Sequence, residues 1–148
     1  MRRFVSKDSK RDFYILYTLV FGVIAGFIYY QFAGNGKSLV WSHDGIPQHL
    51  NSLAYYGRYL REVLHTIFVE HKLELPMWDM NIGYGSDILT TLHYYVIGDP
   101  LTLLSVFVPA DKTEVLYEVL IFLRIYLAGI SFSAVSYTHL TLPTKLEV

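Results

Sequence analysis

Apolar residues along this chain come in blocks separated by polar stretches, and the first block is the longest free of charge. Phe13–Phe32, "FYILYTLVFGVIAGFIYYQF", is twenty residues without a charged side chain. At about 1.5 Å per residue a helix of that length crosses a hydrocarbon core of roughly 30 Å, so the pattern predicts a transmembrane helix over residues 13–32. Tyr14, Tyr17, Tyr29 and Tyr30 lie toward its ends, where amphipathic rings favour the membrane interface. The competing account is a buried helix of a soluble protein. A cleaved signal peptide is a second rival, but its apolar region usually runs about 7–15 residues and ends in small side chains, not in "IYYQF".

Past this block, "AGNGKS" gives a flexible exit. Asp44-Gly45-Ile46-Pro47 then reads as a helix start, with Asp44 as a good N-cap and Pro47 tolerated in the first turn. Ile46, Leu50, Leu53, Gly57, Leu60, Leu64 and Ile67 recur at alternating steps of four and three, which is one face of a helix; Arg58, Arg61, Glu62 and His65 fall off that line. Two accounts of this helix stand: it lies on the membrane or on the protein's external face, or it is an ordinary amphipathic core helix. Leu75–Ser86 is turn-rich, broken by Pro76, Gly83 and Gly85. The apolar stretch 88–109 contains Gly98-Asp99-Pro100 and is expected to be a kinked second membrane segment, or an external dip followed by a shorter helix. After the polar loop "ADKTE", residues 115–134 read as a third transmembrane helix with Arg124 near its middle. The expected fold class is an all-α, multi-pass membrane protein whose external loop, residues 33–87, contains amphipathic helices.

Charge sets the orientation. Residues 1–12 carry Arg2, Arg3, Lys7, Lys10 and Arg11 against Asp8 and Asp12, whereas Ala33–Asp87 holds four basic and six acidic residues. The positive-inside rule therefore places the N-terminus in the cytoplasm and the long loop outside the cell membrane. Overall the 148 residues are 53% hydrophobic with a net charge of −1, and no basic, aromatic-laced patch points to nucleic acid. With no cysteine, disulfides and thiolate metal sites are excluded.

Residues 135–148 break the pattern. "VSYTHLTLPT" interrupts an apolar run with polar side chains and resembles the conceptual translation of a transposase-type sequencing adapter. The expectation is that native sequence stops near Ala134 and that the chain is the N-terminal fragment of a longer protein, inactive by itself. The tail residues carry no functional weight.

Four segments in order, "WSHDGIPQHL", "LPMWDMNIGYGSD", "YYVIGDPLTLLSVFVP" and "LIFLRIYLAGISF", resemble the start of the YfhO-like family of bacterial multi-pass membrane proteins. The resemblance covers Phe13 to Ala134. It implies an integral-membrane glycosyltransferase of the GT-C architecture, which takes sugar from a polyprenyl-phosphate carrier outside the membrane and gives it to an envelope polymer such as lipoteichoic acid. Its partners would be the bilayer, the lipid-linked sugar and that acceptor polymer. Enzymes of this kind carry an essential acid in the first external loop, and Asp44 stands there.

Chemistry gives the acid a reason. A hydroxyl attacking an anomeric carbon needs a carboxylate to take or orient its proton, and the departing phosphate needs positive charge. Gln48, one turn beyond Asp44, is placed to hold a sugar or the carboxylate. The plain alternative for Asp44 is an N-cap and nothing more. His43 and His49 flank it, so a divalent cation is a conceivable cofactor, although the spacing defines no metal site. Asp79 and Asp87 are expected to satisfy backbone donors in turns, and Asp99 to cap a helix that starts at Pro100. Trp78 is a candidate for stacking on sugar or for anchoring at the interface. Arg124, costly within a span, is expected to neutralise a carrier phosphate or to pair with Asp99 or a glutamate. A transporter or flippase for the lipid-linked sugar, and a non-catalytic scaffold, remain the alternatives to an enzyme.

Overall fold

A computed structural model describes the chain from Lys7 to Thr141, and its side chains from Lys10 to Ser136. It divides into two compact units, Met1–Lys37 with Ile121–Val148, and Ser38–Leu120. The first holds helix α1 (Lys7–Ala33) and most of the last helix, α4 (Thr113–Thr141). Both exceed their expected bounds; α4 runs on through the polar residues after Ala134, and 142–148 lie outside the described residues.

Most apolar side chains of α1 are exposed, with Val23 73% and Tyr30 70% exposed, and none of its most apolar stretch is buried. A core helix of a soluble protein would be covered. Among the described residues two helices are long and apolar enough to cross a membrane, Lys10–Ala33 and Ala110–Ser136. They meet through aromatic and polar groups: the Tyr17 hydroxyl donates to the Tyr126 carbonyl at 3.2 Å, the Thr18 and Tyr126 hydroxyls lie 2.8 Å apart, and the Tyr17 and Tyr126 rings stack. Gly129 admits this approach, since a Cβ there would collide with the Tyr17 hydroxyl.

The second unit is built on α2 (Asn51–Phe68), preceded by a wide π-helical turn over Gly45–Leu50. A two-stranded antiparallel hairpin follows, β1 (Trp78–Asp79) with β2 (Ser86–Asp87), in register Trp78↔Asp87 and Asp79↔Ser86. This strand pair is an addition to the expected all-helical picture. The stretch 88–109 is no continuous helix. It comprises α3 (Ile88–Leu92), a π-helical continuation over His93–Ile97, a break at Gly98–Asp99, and a 3-10 helix over Pro100–Phe107. The break falls where glycine and proline interrupt the ladder. The apolar piece Ile88–Ile97 is a short helix, well below the roughly 20 residues that cross a bilayer.

Within this unit α2 buries Leu53, Tyr56, Gly57 and Val63, and Ile88, Leu92, Val96, Leu116 and Leu120 are buried as well. Its apolar face is thus covered by the chain itself, chiefly by the 3-10 helix. The observed stripe shares Leu53 and Gly57 with the expected one but is rotated: Ile46 and Leu64 are 48% and 40% exposed. Two residues pin the 3-10 helix down. Gly57 lets the Ser105 backbone approach so closely that a Cβ would lie 2.7 Å from the Ser105 carbonyl oxygen. Arg61 Nη1 donates to the carbonyls of Ser105, Val106 and Val108 at 2.9, 3.3 and 2.8 Å, at the end of the 3-10 helix.

Candidate functional site around Asp44

Asp44 was expected to cap the helix that follows it, and its carboxylate does not do so. The reason is local. An N-cap side chain accepts from the N–H two or three positions on. Here the second position, Ile46, donates its N–H to the Trp41 carbonyl at 3.0 Å, and the third is Pro47, which has none. The Gln48 and His49 N–H groups then share the Asp44 carbonyl, both at 3.1 Å, which widens the turn. Such π-helical irregularities recur at functional sites.

The half-buried carboxylate of Asp44 is held from another direction. Gln48 Nε2 donates to Asp44 Oδ1 at 3.1 Å, and the Tyr95 hydroxyl donates to Gln48 Oε1 at 2.9 Å. The carboxylate, which only accepts, takes the Gln48 NH₂, and the amide oxygen is left to accept from the Tyr95 hydroxyl, which holds the Gln48 side chain in place. Asp44 Oδ2 accepts no hydrogen bond from the described residues. The arrangement is an oriented carboxylate with one oxygen fixed and one open to a hydroxyl or a cation.

His43 and His49 engage aromatic rings. His43 stacks on Trp41 at 5.7 Å between centroids, and His49 packs edge-on to Tyr95 at 5.2 Å. Among the described residues no three histidine or acidic side chains gather as a metal site. A cation at Asp44 would therefore draw its remaining ligands from a substrate or water.

Asp79, Asp87 and Asp99 serve the backbone. Asp99 Oδ1 accepts from Leu101 N at 2.9 Å at the start of the 3-10 helix, and Asp87 Oδ1 from Thr90 N at 2.7 Å at the start of α3. Asp79 Oδ1 accepts from Asn81 N at 2.8 Å, while its Oδ2 takes the Tyr55 hydroxyl at 2.6 Å. The Tyr55 and Asn81 hydrogen bonds hold the Asp79 carboxyl below the usual carboxylate range. Burial and the same bond push the Tyr55 phenol well above its ordinary value.

Trp78, next to Asp79 in β1, faces the opposite side of the strand. It is 60% exposed, lies against Gly85, and its indole N–H meets Met80 Sδ at 3.3 Å. No hydrogen bond or ring contact from the described residues joins it to Asp44 or Gln48. Arg124 belongs to the other unit, half-buried on α4. Of the four site residues expected from sequence, the structure brings Asp44 and Gln48 together. It adds Tyr95, which lies 47 positions from Gln48 and carries no local signal.

Two long apolar helices that the chain leaves uncovered mark a membrane protein. Residues 16–146 match the family described as bacterial membrane protein YfhO, and the chain belongs to that family. No curated protein and no solved structure matches it.

Proposed function

We propose that this YfhO-family membrane protein takes part in glycosyl transfer from a polyprenyl-phosphate carrier to an envelope polymer such as lipoteichoic acid, with Asp44 as the general base. The observation that carries this reading is the Asp44 carboxylate, spared from helix capping and oriented through Gln48 by Tyr95. In the step envisaged, the acceptor hydroxyl gives its proton to Asp44 Oδ2 as its oxygen bonds to the anomeric carbon. The bond from that carbon to the carrier phosphate breaks, and the phosphate leaves with the electron pair. Positive charge eases that departure, from Arg124 or from a divalent cation. Trp78 offers an exposed ring for stacking on sugar.

The second reading is a flippase for the lipid-linked sugar, favoured by the placement of Arg124 within a long apolar helix. The two separate in cells that carry single variants in the full-length protein. The proposal expects Asp44→Asn to lower the sugar content of the purified polymer by at least about a hundredfold at equal protein level, in line with general-base effects. If Arg124→Gln abolishes the sugar while Asp44→Asn leaves it near normal, transport replaces transfer.

A further inference from the structure

Four α2 residues, Tyr55, Arg58, Tyr59 and Glu62, follow one another at steps of three, one and three, so they form a stripe apart from the one that packs the core. The hairpin is tied over this stripe. The Tyr59 hydroxyl donates to the Pro76 carbonyl at 3.2 Å, and the Tyr55 hydroxyl to Asp79 Oδ2 at 2.6 Å. Between helix and hairpin a cleft of about 310 Å³ remains, closed on the hairpin side by Asp79 and Asn81. None of its lining residues belongs to the Asp44, Gln48 and Tyr95 set.

We propose that this cleft seats one neutral, hydroxyl-rich sugar unit. Its volume falls at the small end of ligand sites, which run from roughly 300 to 1,000 Å³. Two phenol rings supply apolar walls for sugar C–H groups. Among the described residues no hydrogen bond or ion pair engages the Arg58 guanidinium or the Glu62 carboxylate, so a row of donors and a charged acceptor face the cleft. A hydroxyl, both donor and acceptor, answers both.

The charges argue against other ligands. Arg58 is opposed by Glu62 and Asp79, which leaves the lining net negative and hostile to a phosphate. Under the glycosyl-transfer reading the occupant is a sugar unit of the acceptor; that role rests on the reading, and the binding does not.

The test is saturation-transfer NMR on the full-length protein in detergent micelles, with methyl β-D-glucopyranoside as the probe and inorganic phosphate in a parallel series. Saturation should reach the ring C–H protons of the glycoside. Arg58→Gln and Glu62→Gln should each weaken apparent affinity by about tenfold, the loss of one charge-assisted hydrogen bond. Both side chains are at the surface, and an unchanged amide spectrum verifies that each variant folds. Asp44→Asn should retain the glycoside signal. The proposal falls if no saturation reaches the glycoside, if the signal is indifferent to both cleft variants, if Asp44→Asn abolishes it, or if phosphate binds in its place through Arg58. Retained glycoside binding alongside normal polymer glycosylation in Asp44→Asn cells would remove the transferase reading and leave the sugar site standing.

Discussion

Asp44, Asp79, Asp87 and Asp99 are the same residue type in one polar-to-apolar stretch, yet their surroundings give them different work. The capping of the 3-10 helix by Asp99 is legible in sequence, because Pro100 announces a helix start, whereas Asp87, expected to satisfy backbone donors in a turn, caps α3. The freedom of Asp44 is legible too, in principle: proline three positions on removes the N–H that a cap would use. What sequence does not reveal is the hold on Asp44, since Tyr95 reaches Gln48 across 47 positions. The bond between Tyr55 and Asp79 is equally remote, and it predicts a pH window. Asp79, made more acidic by its partners, favours the docked hairpin above its usual value of 3.8, and that contribution is lost as pH falls below it. The raised Tyr55 value acts at the other end, full below 10.0 and lost well above it. In a Trp41→Phe background, Trp78 emission should be flat between these limits and shift as pH falls below about 4. Asp79→Asn should flatten the acid shift; an identical acid transition in both proteins would remove Asp79 from the hairpin's attachment.

At the scale of elements, hydrophobic periodicity locates α2 but misjudges which way it faces. A spacing of three and four defines a stripe, and the partner decides its edges. Here the partner is the 3-10 helix Pro100–Phe107, whose Ser105 backbone seats itself on Gly57, and the buried face includes Tyr56 and Val63. A short hairpin inside a helical chain is also hard to foresee, because each strand is two residues long and no alternation can show in two residues. The Gly57 contact makes a direct prediction. Gly57→Ala would raise helix propensity on an exposed helix, but here the added methyl meets a backbone carbonyl and should destabilise the second unit by about 1–3 kcal/mol. Thermal or denaturant unfolding measures this, and a variant as stable as the parent would show that the contact is loose.

For the whole molecule, the membrane character was the most legible property, since it depends on composition over twenty residues and not on distant partners. The outer helices follow their hydropathy closely. The segment 88–109 does not: it breaks at Gly98–Asp99, and Ile88, Leu92 and Val96 serve the core of the second unit while Leu103, Leu104 and Phe107 stay exposed. Orientation remains a proposal drawn from the basic residues before the first apolar run. The chain has no cysteine, so single cysteines report without background. With Ser9→Cys and Lys72→Cys in intact cells, an impermeant thiol reagent should label position 72 and spare position 9. The reverse pattern would invert the topology.

The central claim is that the Asp44 carboxylate acts by its charge and not by holding a helix end. Asp44→Asn isolates the two roles, because asparagine is about as good a cap as aspartate and the native side chain caps nothing. The decisive measurement is made on one preparation of the full-length protein in proteoliposomes: its unfolding temperature, and its rate of sugar transfer from polyprenyl phosphate to acceptor polymer. The expected result is an unfolding temperature equal to that of the parent with transfer reduced by at least about a hundredfold. Transfer at the parental rate, or a loss of transfer that merely follows a loss of stability, would contradict it.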